Sequence, residues 1–367
     1  MSAIDFVRPA VRAERAYIVP TTTEAEAKLD QNESPFDLPA GLKEAALGFL
    51  ETEWNRYPDD RPHRLIARLT EQMGLAPGSV IVGRGSNEIT HTLGLCFLEP
   101  GTPVVLPAPM FALYGSVARM HGARVVGVPP TDDFSHDADA ILAAAQDSSA
   151  PLTVVTTPNN PTGQVIPHDG LRRLAAGVPG VLLVDEAYHE FLDGPTAIDL
   201  LAEFDNVLVM RTFSKALGLA GLRLGVLAGR PELIHEIEKA RLPFLVDRMS
   251  EAVGLAVLDA PELVAERVAT LRAEGEALVD WLRGVDGVEV RPGAANFHLF
   301  RTPLDAHALR TALAAEGVLV RDVTGYPELA GQDGRPGWTR VSVGSADENR
   351  AFRRALASVL AQAAAKA

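Results

Sequence analysis

The sequence predicts an α/β fold: a large, mostly parallel sheet with helices on both faces, followed by a smaller α+β unit. Three observations carry this prediction. From about Arg56 to Ala260, short apolar runs recur without polar alternation, as strands covered on both faces require. Helical periods separate these runs, so consecutive strands are joined by crossovers. Each run also ends in a turn rich in Gly, Pro, Asn or Ser that carries reactive side chains, at the strand end where open α/β sheets hold their ligands.

The elements follow in order along the chain. Ser79-Val-Ile-Val82 is a strand, and Gly83-Arg-Gly-Ser-Asn-Glu88 after it opens a helical run to Leu98. Leu152-Thr-Val-Val155 leads into Thr156-Thr-Pro-Asn-Asn-Pro-Thr-Gly163, and Gly180-Val-Leu-Leu-Val-Asp185 forms a further buried strand. Val207-Leu-Val-Met210 runs into Arg211-Thr-Phe-Ser-Lys-Ala-Leu-Gly-Leu-Ala-Gly-Leu-Arg223. Residues 263–282 read as a long helix with charged outward positions. After it come apolar strands at 288–290, 297–300, 318–320 and 341–343, a helix at 306–315 and a final Ala-rich helix. The expected division is a segment 1–50 that contributes to the small domain, a large domain 51–262 and a small domain 263–367.

The chemistry starts from Lys215. The chain's lysines are Lys28, Lys43, Lys215, Lys239 and Lys366, and Lys215 stands in a largely uncharged turn directly behind an apolar strand. An amine there can form a Schiff base with an aldehyde, most often that of pyridoxal 5′-phosphate (PLP). That cofactor needs a carboxylate for its pyridine nitrogen, a donor for its phenolate oxygen, an anion cradle and an aromatic face. Asp185, at the end of its strand, supplies a carboxylate, and Tyr188 and Asn160 are donors within reach of the same strand ends. Ser86 and Asn87 begin a helix, where backbone N–H groups face an anion. Ser214 adds a hydroxyl, Arg223 a guanidinium fork, and Phe111 an aromatic ring. Each has a plainer reading alone: Asp185 as a helix cap, Tyr188 and Phe111 as core residues, the Asn-Pro-Thr-Gly loop as a turn.

Their order resolves the ambiguity. Gly-Ser-Asn, an aromatic residue, Asn-Pro-Thr-Gly, Asp-x-x-Tyr, Ser-Lys and Arg follow one another, each past an apolar strand. In this order the chain resembles the class-II PLP-dependent aminotransferases of fold type I, and among them the histidinol-phosphate aminotransferase family. The resemblance runs from Leu29-Asp-Gln-Asn-Glu-Ser-Pro35 and Arg56-Tyr-Pro-Asp59 to Arg340-Val-Ser-Val-Gly344. It implies a seven-stranded large-domain sheet and a ping-pong transamination. Lys215 matches the lysine that bonds the cofactor and shuttles the proton, and Asp185 matches the partner of the pyridine nitrogen. Tyr188 and Asn160 match the phenolate donors, Ser86, Asn87, Ser214 and Arg223 the phosphate set, and Phe111 the stacking ring. Tyr57 matches a tyrosine that reaches the neighbouring subunit's cofactor phosphate, which implies a homodimer with shared active sites.

Substrate choice is expected to rest on Arg340 and Arg321, with Asn32 of the Asn-Glu-Ser-Pro motif beside them. Two guanidiniums suit a dianionic phosphate, which favours histidinol phosphate with 2-oxoglutarate as amino acceptor. Two departures from the family pattern leave alternatives open. Phe244 stands where many members carry a tyrosine, and the segment between Arg321 and Arg340 is long. An aromatic amino-acid aminotransferase and a PLP-dependent decarboxylase of O-phospho-L-threonine are those alternatives.

Composition narrows the partners. A net charge of −14 at pH 7 disfavours nucleic acid and anionic membrane. No apolar run approaches the length of a membrane span and no export signal is visible, which suits the cytoplasm. A single cysteine, Cys96, excludes an internal disulfide framework, and its apolar neighbours predict a core position. His189, His298 and His307 read as structural or exposed, and no spacing suggests a metal site.

Overall fold

The structure, a computed structural model, describes residues 2–16, 25–47, 54–332 and 334–365. Its strands are β1 (Ala27–Lys28), β2 (Val80–Arg84), β3 (Pro103–Pro107), β4 (Arg124–Val128), β5 (Leu152–Thr156), β6 (Val181–Asp185) and β7 (Val207–Thr212). β8 (Leu224–Gly229), β9 (Glu289–Ala295), β10 (Phe297–Arg301), β11 (Val318–Leu319), β12 (Arg321–Asp322) and β13 (Thr339–Ser342) follow.

Seven strands form one sheet in the order β2-β8-β7-β6-β5-β3-β4. Only β8 runs against the others, pairing antiparallel with both β2 and β7. The α/β class and the mostly parallel seven-stranded sheet are as the sequence predicts. Alternation along the strands separates two cores. Leu182, Val184, Val207 and Val209 face the helices His63–Gln72, Ala138–Ser148, His168–Gly177 and Arg248–Leu258. Leu183, Leu208 and Met210 face the helices Gly85–Phe97, Ala112–Met120 and Pro231–Glu238. Burial on both faces is why these strands carry almost no polar side chains.

A second sheet, β12-β13-β10-β9, is antiparallel. Phe300 and Val341 pack there against Leu278 and Leu282, Leu309 and Leu313, and Phe352 and Leu356, from three helices. The final helix, Ala346–Ala364, opens with a capping box between Ser345 and Glu348. The strand expected at 318–320 is β11, which pairs with β1, and the next two residues form a separate strand, β12, on β13. Backbone bonds from Leu29 N–H to the Leu319 carbonyl (2.9 Å) and from Ser342 N–H to the Leu29 carbonyl (2.9 Å) tie the N-terminal segment between them.

Cys96 corrects an expectation. It is exposed: the helical period puts it on the stripe of Ile89 and Leu93, but it stands in the last turn of the helix Gly85–Phe97, where the core does not reach it. His298 is buried on β10, where its Nδ1 accepts the Gly293 N–H at 3.1 Å, and His307 lies on an exposed helix face. Among the described residues no helix is long and apolar enough to cross a membrane.

Candidate active site

The C-terminal ends of β5, β6 and β7 and the start of the helix Gly85–Phe97 open into a cavity of about 610 Å³. Every candidate residue named from the sequence lines this cavity except Tyr57.

Asp185 ends β6 and is 8% exposed. Its Oδ1 accepts the Ala187 N–H at 3.0 Å and its Oδ2 accepts the Tyr114 hydroxyl at 2.7 Å. Burial pushes its proton affinity up to about 6, and the Tyr114 hydrogen bond opposes that rise. Lys215 enters from the turn after β7. Its Nζ donates to the Gln31 carbonyl at 2.9 Å. Burial, with Arg340 and Arg223 nearby, lowers its proton affinity to about 8, so the amine gives up its proton far more readily than an exposed lysine. Tyr188 is buried and held as a neutral phenol, its proton affinity raised to about 12 by burial. Its oxygen accepts the Asn32 amide at 3.0 Å, which leaves its O–H as a donor. Asn32 has φ 54°, and its Oδ1 accepts the Ser342 hydroxyl at 2.9 Å. Its amide therefore orients Tyr188 as it reaches the cavity.

The opposite wall is cationic. Arg223 sits in the left-handed region (φ 56°, ψ 58°) after the turn Ala220–Leu222. A Cβ on Gly85 would come within 2.5 Å of its Nη2, so the guanidinium lies directly against the start of the helix that carries Ser86 and Asn87. Ser214 is buried beside Thr212, whose hydroxyl lies 3.0 Å from its own. This set offers an anion a helix N-terminus, hydroxyls and a fixed fork. Phe111 precedes the helix Ala112–Met120 and meets Tyr114 edge to face at 6.4 Å.

Arg340 and Arg321 form the mouth. They are directly opposed Cα partners on β13 and β12, so both side chains project from one face. Arg340 donates to the Asp30 carbonyl at 2.6 Å and to Asn160 Oδ1 at 2.5 Å, while its buried Nε has no partner among the described residues. Arg321 makes no ion pair among the described residues. The segment between the two strands packs rather than hangs free: Val323, Leu329 and Trp338 are buried, and Trp338 meets Phe134 at 5.6 Å. Phe244 and Tyr57 lie outside the cavity. They stack on each other at 4.7 Å and are 42% and 78% exposed.

Tyr114 and Asn159 escaped the sequence reading. Tyr114 follows Phe111 by three positions at the start of one helix, a spacing that lets the two rings meet and could have flagged it. Asn159 holds the Asn-Pro-Thr-Gly loop through bonds to the Pro109 carbonyl (2.9 Å) and the Thr162 hydroxyl (2.8 Å). The carbonyls of Gln31 and Asp30 carry no side-chain signal at all. The donor set fits PLP: a buried carboxylate, a buried amine of low proton affinity, neutral phenol and amide donors, and a cradle that a single Cβ at Gly85 would fill.

The sequence profile described as "Aminotransferase class I and II" matches residues 25–356. Histidinol-phosphate aminotransferase of Chlorobium luteolum is 39% identical over 355 residues, 96% of this chain and 98% of that protein. The solved structure of histidinol-phosphate aminotransferase from Sinorhizobium meliloti in complex with pyridoxal-5′-phosphate superposes with a TM-score of 0.85 at 25% identity, covering 98% of this chain and 99% of that one. L-threonine-O-3-phosphate decarboxylase from Porphyromonas gingivalis has a TM-score of 0.79 at 20% identity over 91% of this chain and 99% of its own, a likeness of fold alone.

Proposed function

The chain belongs to the class I and II aminotransferases, and from that membership we propose that it transfers the amino group of histidinol phosphate to 2-oxoglutarate with PLP as cofactor. One observation carries the reading: a buried amine and a buried carboxylate share a cavity whose mouth holds two directly opposed arginines.

Ser86, Asn87, Ser214 and Arg223 would hold the cofactor phosphate, Phe111 would lie against the ring, and Asp185 would face the ring nitrogen. Tyr188 and Asn160 would donate toward the ring oxygen. Asn160 suits this because Arg340 occupies its Oδ1 and leaves the amide N–H₂ free. When bound, PLP supplies an electron-poor ring that takes up the electron pair released as a substrate Cα–H bond breaks. Lys215 Nζ is the base that would accept that proton and return it to the cofactor carbon bonded to the transferred nitrogen. A proton affinity near 8 lets it do both near neutral pH. The Gln31 carbonyl aims it.

Arg340 and Arg321 receive the substrate's anionic end. Like charges directly opposite on neighbouring strands repel. An anion bridging them relieves that repulsion, and a dianionic phosphate does so better than a carboxylate. The enzyme is cytoplasmic and homodimeric in this reading. The exposed Tyr57–Phe244 stack supports a partner surface, since adjoining exposed aromatic groups mark contact sites.

The test is the visible absorption of the PLP-loaded protein on adding histidinol phosphate without keto acid. Loss of the cofactor band, restored by 2-oxoglutarate, is the expected result. A band indifferent to histidinol phosphate but bleached by an aromatic amino acid, or release of carbon dioxide from O-phospho-L-threonine, would overturn the substrate.

A further inference from the structure

The Asp185 carboxylate has two oxygens and two donors of unlike kind. The Ala187 N–H comes from Asp185's own chain direction at 3.0 Å, whereas the Tyr114 hydroxyl reaches across from another element at 2.7 Å. Tyr114 is 5% exposed in the second core and rides on the helix Ala112–Met120, directly behind Phe111. One rigid element therefore presents both the aromatic wall of the cavity and the donor that fixes its carboxylate.

Resting on the function just given, we propose that Tyr114 is a positioning residue: its hydroxyl locks the Asp185 carboxylate toward the cavity and sustains its negative charge, so that the ring nitrogen of PLP, and not Asp185, keeps the proton they share. A hydrogen bond donated to the charged form of an acid makes it a weaker base. The other charged and titratable groups that face Asp185 are Glu186, adjacent on the chain, Lys215 from the turn after β7, and the neutral phenol of Tyr188. Glu186 raises its proton affinity and Lys215 lowers it. Both are engaged elsewhere: Glu186 pairs with Arg211 at 2.9 Å, and Lys215 donates to Gln31 at 2.9 Å. Tyr114 alone donates a side-chain hydrogen bond to the carboxylate among the described residues. Burial and the facing Asp185 hold the phenol's own proton affinity well above its ordinary value, so it remains a donor at every working pH.

Tyr114→Phe removes the hydroxyl and keeps the ring that meets Phe111. The measurement is the dissociation constant of PLP from the stripped protein between pH 5 and 8.5, in the parent and in this variant. Titrations of the cofactor's own phosphate and of Lys215 are common to both and cancel in the comparison. The expected result is an acid limb near pH 6 in the parent, displaced upward by about one unit in Tyr114→Phe, the size of one charge-assisted hydrogen bond, with the two curves merging at the alkaline end. In an Asp185→Asn background the same substitution should have no effect on the limb, as required if Tyr114 acts through Asp185. Coincident limbs, a uniform loss of affinity at every pH, or an effect that persists without the carboxylate would each overturn the proposal. A parent that binds no PLP at any pH would overturn it together with the function.

Discussion

Arg321 and Arg340 face each other across β12 and β13, but their surroundings differ. Arg340 is buried and braced by the Asp30 carbonyl and Asn160, so its fork is fixed before a substrate arrives. Arg321 is only half-buried and lacks such a brace, so its contribution depends on the charge it meets. Arg321→Ala should raise KM for histidinol phosphate by about tenfold or more, the loss of one charge-assisted contact. It should raise KM for 2-oxoglutarate less and leave PLP affinity unchanged. Steady-state kinetics with the two substrates decides this. Equal effects on both would show that Arg321 does not discriminate phosphate from carboxylate.

At the level of elements, the site depends on a backbone contact between the two sheets' loops. Gly163 closes the Asn-Pro-Thr-Gly loop with φ 72°, and its carbonyl accepts the Ala294 N–H of β9 at 2.8 Å. A Cβ there would come within 2.3 Å of the Gly293 Cα, a clash of backbone with backbone that no rotamer relieves. The approach seats Asn160 under Arg340. Gly163→Ala should therefore destabilise the protein by about 2 kcal/mol or more and raise KM for the phosphorylated substrate, with both read from thermal unfolding and kinetics. An unchanged melting temperature would show that the loops part at little cost. The same logic of backbone approach keeps Gly85 beside Arg223, where a side chain would displace the guanidinium from the helix start.

Across the whole molecule, buried titratable groups pull stability in opposite directions. His136 and His298 are held neutral, their proton affinities lowered to about 4 by burial. The unfolded chain protonates them near 6.5, so the stability they confer is full above that pH and is lost as pH falls toward 4. Glu190 behaves inversely. Burial raises its proton affinity to about 7, and its Oε2 has no partner among the described residues. It costs stability above pH 7, where the folded state must hold it charged, and that cost vanishes as pH falls below about 4.5. Glu190→Gln should therefore melt higher than the parent at pH 8, by on the order of 1–3 kcal/mol, with the gain fading toward pH 5. Calorimetry across that range measures it. Equal melting temperatures at pH 8 would mean that solvent screens the carboxyl.

What the sequence determined by itself was local. Unbroken apolar runs such as Gly180-Val-Leu-Leu-Val-Asp185 announce strands covered on both faces, and the turns behind them put Asp185, Ser214 and Lys215 at strand ends. Those signals need only neighbours in the chain. The tertiary structure decided everything that depends on residues far apart in sequence. It set Tyr114 against Asp185, Gln31 against Lys215, and Asn32 against Tyr188, each across more than seventy positions. It also followed the strand at 318–319 with a separate one at 321–322 on a different partner, and left Cys96 exposed. Periodicity puts Cys96 on the same stripe as Ile89 and Leu93, and only tertiary packing decides that the core does not extend to the helix's last turn. Periodicity specifies which residues can share a face, but contact between faces is fixed only when burial and hydrogen bonding are satisfied across the whole chain at once.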